Sequence, residues 1–170
     1  INILKFRPDI RRTPVWGLGC AGGAAGLSQA YHYLVGHPQE KVLLVAAELC
    51  GLTFQQNDFS KSNFVATALF GEGAAAVLMT GDDSVADGPE ILGTSSTFWP
   101  DSLDIMGWNV LNSGMQVIFN RNIPYLVEKH ARDNFAALLA RYDMQLENIK
   151  HLIIHPGGIK VIEAYIRSLG

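Results

Sequence analysis

Short apolar runs alternate with longer mixed stretches along this chain. Residues 42–49 are almost continuously apolar and are bounded by charge and Gly51, the pattern of a central strand covered on both faces. Residues 74–79 repeat that pattern between the turn Phe70-Gly71-Glu72-Gly73 and the closing Gly81-Asp82-Asp83. Residues 27–35 read as a buried helix ended by Gly36 and Pro38, and the glycine-rich run 17–26 leads into it. Residues 54–62 are polar and loop-like, and 63–69 are helical. Strands alternating with helices in this way predict a layered α/β fold.

The small, acidic, turn-rich residues 84–89 predict a passage between two structural halves, 1–85 and 86–170. The second half repeats the alternating theme. Strands are expected over 91–98, 115–119 and 149–154, a loop over 100–107, a long amphipathic helix over 123–141 and a last helix over 159–169. Each half has a glycine-bearing strand-to-helix junction, one carrying Cys20 and the other His155.

Composition removes several function classes. A hydrophobic content of 48% with 17% charged residues is that of a packed protein, which argues against disorder. The net charge of −3, with basic residues dispersed apart from Arg11-Arg12, offers no phosphate-backbone footprint, so nucleic acid is not an expected partner. The apolar runs are far shorter than the roughly 20 residues of a membrane-spanning helix, so a soluble chain is expected. Two cysteines, Cys20 and Cys50, are too few for a disulfide framework and lack metal-site spacing, which fits a reducing cytoplasm. No metal is expected. The chain begins at Ile1 without a Met and stops at Gly170 in what reads as a helix, so a fragment is expected and the lack of a signal peptide carries little weight.

The chemistry concentrates at the two junctions. A thiol works as a nucleophile only as thiolate, and a helix N-terminus supplies free N–H groups and a positive dipole end that lower its pKa. Cys20, in Gly17-Leu18-Gly19-Cys20-Ala21-Gly22-Gly23, stands at such an end, among glycines that leave room for an acyl thioester. An inert core thiol is the other reading of the same residue. His155 follows an apolar run and precedes Pro156-Gly157-Gly158, placing an imidazole at a strand's C-terminal edge, where α/β folds gather catalytic groups. A structural histidine is the competing reading; Cys20 and His155 on matching junctions favour the catalytic one. His32, His37, His130 and His151 read as structural, as do the isolated Glu48 and Glu72. Residues 70–76 lack the glycine spacing and the Lys-Ser/Thr of a nucleotide-binding loop and precede a strand, so they read as a tight turn.

Taken together, Gly17-Leu18-Gly19-Cys20-Ala21-Gly22-Gly23, Glu48-Leu49-Cys50-Gly51-Leu52-Thr53-Phe54, Ala68-Leu69-Phe70-Gly71-Glu72-Gly73-Ala74-Ala75-Ala76 and His155-Pro156-Gly157-Gly158 resemble the type III polyketide synthases, the chalcone synthase family. The resemblance is ordered and spans nearly the whole chain. Residues 16–26 and 48–63 are most similar to bacterial alkylpyrone or alkylresorcinol synthases. The resemblance implies a partial thiolase-like fold, layered αβαβα and built from two similar halves, and a homodimer. It implies that Cys20 takes an acyl group from a CoA thioester and that His155 supports the thiolate and the enolate formed by decarboxylation of malonyl-CoA. Acyl-CoA and malonyl-CoA are then substrates, and no cofactor is expected. Phe70 matches a gatekeeper aromatic, Cys50 and Thr53 match cavity-lining positions, and Cys50 suits an aliphatic chain. Val117 stands where the family has a second bulky aromatic, and Arg121 at a CoA-proximal basic position. The family's third catalytic residue, an Asn in a Gly-Asn motif, and its N-terminal CoA-gripping basic residues are not matched in these 170 residues. The chain alone is therefore expected to be inactive. The alternatives are a ketoacyl synthase III-like enzyme performing one condensation, a noncatalytic fragment with an inert Cys20, and a hydrolytic Cys-His enzyme.

Overall fold

The computed structural model describes residues 3–82 and 87–170. Helix α1 (Gly22–Gly36) leads into strand β1 (Lys41–Glu48), and helix α2 (Lys61–Leu69) leads into strand β2 (Gly73–Thr80). Strands β3 (Met106–Leu111) and β4 (Gly114–Phe119) follow, then helices α3 (Ile123–Leu139) and α4 (Ile159–Leu169). The expected boundary between residues 85 and 86 lies outside the described residues.

Strands β1 and β2 pair antiparallel, in register from Lys41 opposite Thr80 to Glu48 opposite Gly73. Side chains along a strand alternate between faces, and here the faces differ. Val42, Leu44 and Ala46 are half-buried, while Leu43 and Val45 are exposed. Helix α1 covers the first face closely enough that a Cβ on Gly26 would stand 2.7 Å from Leu44 Cδ1. The expected cover on both faces is therefore not found: α1 protects one side of β1, and β2 is exposed over most of its length.

Strand β3 overlaps the end of the expected loop at Met106 and Gly107 and continues through residues 108–111, where no element was expected. It pairs with β4 through a two-residue turn at Asn112 and Ser113, with Trp108 opposite Val117. Asn-Ser-Gly at such a turn is a hairpin signal. Conversely, residues 91–98 and 149–154, expected as strands, find no ladder partner and are irregular. A strand exists only through its neighbour's hydrogen bonds. The first of these stretches is tied down by side chains instead: Ser28 and Thr94 hydroxyls lie 2.9 Å apart, and Tyr31 Oη donates to the Leu92 carbonyl at 3.3 Å.

Helices α3 and α4 pack on the small residues Ala131 and Ala164, both buried. Arg132 of α3 donates to the carbonyls of Ser168 and Leu169 at 3.0 and 3.1 Å, satisfying α4's C-terminal acceptors. Arg167 reaches back to Glu128 at 2.9 Å.

The interior is thin. Among the described residues its apolar members are Ala30, Leu34, Ala66, Val117, Ala131, Val161 and Ala164, none of them a large fully buried side chain. The chain exposes 13403 Å², whereas a folded monomer of its mass exposes about 8,200 Å². Much of what the apolar pattern marks as core is open on the outer faces of β1, β2 and α4.

Candidate active site

Cys20 sits in a single 3-10 turn, Gly19–Ala21, that runs directly into α1. Gly19 before it has φ +50°, a left-handed conformation that costs glycine little. The placement at a helix start is as expected, but the electrostatics are not. Partial burial pushes the Cys20 thiol above its ordinary value, its own backbone N–H pulls it down, and the Glu48 carboxylate, then the nearby Cys50, push it up again. Helix N–H groups alone would lower it. The fold adds a carboxylate at the end of β1 and a second thiol, and no basic side chain among the described residues offsets them. Alkylation of Cys20 by iodoacetamide, followed against pH by peptide mapping, is therefore expected to rise later than for a free thiol. Glu48→Gln is expected to move that profile toward lower pH, since it removes one of the charges that disfavour the thiolate.

His155 is exposed and emerges from the irregular stretch before α4, so the expected strand edge is absent. The turn after it depends on two glycines. Gly157 has φ +51° and Gly158, which caps α4, has φ +107° and ψ 159°, a region essentially restricted to glycine. A Cβ on Gly158 would stand 3.7 Å from Leu69 Cδ1, so the His155 turn rests on the last residue of α2, beside Phe70. Among the described residues, no hydrogen bond joins the side chains of Cys20 and His155.

Between α2, the segment Cys50–Thr53 and the β3–β4 hairpin lies a cavity of about 190 Å³. Cys50, Thr53 and Phe70, three residues singled out in the sequence, all line it, and so does Val117. The Cys50 thiol donates to the Gly71 carbonyl at 3.1 Å, and Thr53 Oγ1 donates to the Cys50 carbonyl at 2.9 Å. Both polar groups are thereby satisfied by backbone, leaving a largely apolar lining. The Phe70 ring stands 6.1 Å from Trp108 and 6.3 Å from Phe119, tilted to each by about 50°, within the range of favourable aromatic pairs. Arg121 is exposed beyond the end of β4 and does not line the cavity.

Trp108 and Asn63 line the same cavity and were missed in the sequence. Trp108 follows the expected loop, in residues to which no element was assigned; its alternation with Met106 and Val110 was the available signal. Asn63 is buried, and its amide donates to the carbonyls of Gln55 and Asp58 at 3.0 and 2.7 Å. It pins the loop before α2, whose start Ser60 caps by accepting from the Asn63 N–H at 3.2 Å. Glu72 lies over Gly51, where a Cβ would stand 2.8 Å from its carboxylate oxygen.

These motifs lie in a known sequence context. Residues 1–83 match the chalcone and stilbene synthases, N-terminal domain. By this match the first part of the chain is similar to the chalcone and stilbene synthase family. It is 44% identical to a candidate chalcone synthase of Bacillus subtilis (strain 168), over 100% of this chain and 48% of that protein. It is 42% identical to the 1,3,6,8-tetrahydroxynaphthalene synthase of Streptomyces peucetius subsp. caesius, over 95% of this chain and 43% of that one. Its fold matches the crystal structure of 1,3,6,8-tetrahydroxynaphthalene synthase from Streptomyces coelicolor A3(2), a bacterial type III polyketide synthase, with a TM-score of 0.92 at 24% identity. That match covers 99% of this chain and 47% of the other. The α/β architecture is thus part of the thiolase-like fold of this family, and the chain spans about half the length of the relatives it matches. Among the described residues, no helix is long and apolar enough to cross a membrane.

Proposed function

We propose that the protein carrying this chain is a type III polyketide synthase that loads an acyl group onto Cys20 and extends it with malonyl units. One observation carries the reading: Cys50 and Thr53 from one motif and Phe70 from another line one cavity together with Val117. The Cys20 thiolate attacks the carbonyl of an acyl-CoA, and CoA leaves as its thiolate. Malonyl-CoA loses carbon dioxide, leaving an enolate whose oxygen charge is stabilised by N–H donation from His155. The enolate carbon then attacks the Cys20 thioester, releasing the Cys20 thiolate and a β-ketoacyl-CoA two carbons longer. His155 stands on the turn that rests against α2 beside Phe70, a placement that supports this role.

The starter we propose is a long-chain fatty acyl-CoA, and the products alkylpyrones or alkylresorcinols. The largely apolar lining, with both the Cys50 and Thr53 side chains turned into backbone hydrogen bonds, favours an aliphatic chain over a polar aromatic one. A homodimer would cover part of the exposed apolar surface. The test is incubation of the full-length protein with acyl-CoAs of graded length and malonyl-CoA, with products identified by mass. Products extended by two or more malonyl units on a long-chain starter are expected. A single condensation would point to a ketoacyl synthase III-like enzyme, and free acid alone to a hydrolase.

A further inference from the structure

Strand β4 presents Val117 to the cavity and Gln116 to the opposite side, since consecutive strand residues alternate. Gln116 is not idle there. Its Nε2 donates to Asp58 Oδ2 at 3.1 Å, across 58 residues of sequence. Asp58 is itself held: its Oδ1 accepts from the Ser60 N–H at 2.8 Å. The buried Asn63 amide grips the carbonyls of Asp58 and Gln55. At the hairpin turn, a Cβ on Gly114 would stand 2.7 Å from Gln55 Nε2, so the turn is seated against the same loop. The Ser60 N–H, then Gln116, then the Ser60 hydroxyl hold the Asp58 carboxyl below its usual range, as expected of a carboxylate that its donors stabilise.

We propose that the Gln116–Asp58 hydrogen bond is a positioning clip that sets where the β3–β4 hairpin, carrying Trp108 and Val117, stands as the wall of the acyl-chain cavity. The proposal rests on the functional reading above and deepens it. Neither Gln116 nor Asp58 lines the cavity; they act through the hairpin. At about 190 Å³ the cavity is small, so a small displacement of one wall changes which chains fit, and one methylene of fit is worth about tenfold or more in discrimination.

The test uses the full-length protein and measures kcat/KM for a long and a short acyl-CoA starter, with the ratio as readout. Gln116→Glu sets two carboxylates against each other and is expected to change that ratio by about tenfold; Gln116→Leu, which only removes the donor, is expected to change it in the same direction by less. Asp58→Asn combined with Gln116→Glu restores a hydrogen bond with donor and acceptor exchanged, while the new side chain's Oδ1 still accepts from Ser60. That double variant is expected to return the ratio toward its original value. A merely structural contact would lower turnover of all starters alike, or lower thermal stability, without moving the ratio. Cys20-dependent products with an unchanged ratio in Gln116→Glu would overturn the clip alone. No Cys20-dependent product from the unaltered protein would overturn the functional reading, and the clip with it.

Discussion

Replacing Cys20 with alanine in the full-length protein is expected to abolish carbon-extended product, a loss on the order of 10³-fold or more. No other group can take its place by small adjustment: Cys50, the only other thiol in the chain, is engaged with the Gly71 carbonyl at 3.1 Å on the cavity wall. The substitution also separates two roles. Decarboxylation of malonyl-CoA needs the enolate to be stabilised but needs no acyl acceptor, so Cys20→Ala is expected to keep some decarboxylation, read as acetyl-CoA release. His155→Ala is expected to lose it by about 10²–10⁴-fold. Extended product from Cys20→Ala would sink the assignment of the nucleophile.

The 170-residue chain by itself is expected to catalyse no condensation, to bind an apolar dye such as ANS strongly, and to unfold in urea without a sharp transition. The physical basis is its surface. It exposes 13403 Å² against about 8,200 Å² for a folded monomer of its mass. Leu78, Ile153, Ile159 and Ile166 stand largely in solvent. Apolar area left in water contributes nothing to offset the conformational entropy of ordering the chain. The thiol belongs to the same picture. Burial, then Glu48 and Cys50, disfavour its thiolate, and no cation among the described residues opposes them. A cooperative urea transition, or malonyl-CoA decarboxylation by the isolated chain, would overturn this expectation.

The elements were legible to the extent that each carries its own period. Helices α1, α3 and α4 and strands β1, β2 and β4 lie where apolar spacing and glycine punctuation put them, with α1 starting five residues before the expected Leu27. Strand β3 was partly legible, since Met106, Trp108 and Val110 alternate with Gly107 and Asn109, but the glycine and the stretch 100–107 favour a loop reading. Residues 91–98 and 149–154 failed in the opposite direction. Their composition suits a strand, but a strand is a relation between two segments, and neither finds a partner among the described residues. At the site, Cys50, Thr53 and Phe70 were identified through the motifs and do share a cavity. The direction of the Cys20 shift is not legible locally, because a local reading sees the helix start but neither the burial that raises the thiol nor the carboxylate that β1 brings to it.

By itself, then, the sequence determined the four helices, strands β1, β2 and β4, and the order of its four motifs, because periodicity and glycine placement act over a few residues and leave a local imprint. Only the tertiary structure decided which faces are covered, that Trp108 faces Val117, that the His155 turn rests on Leu69, and that Gln116 reaches Asp58. Each of those depends on where distant segments pack. Close contact between groups remote in the chain is what sets a cavity's walls and a thiol's charge surroundings.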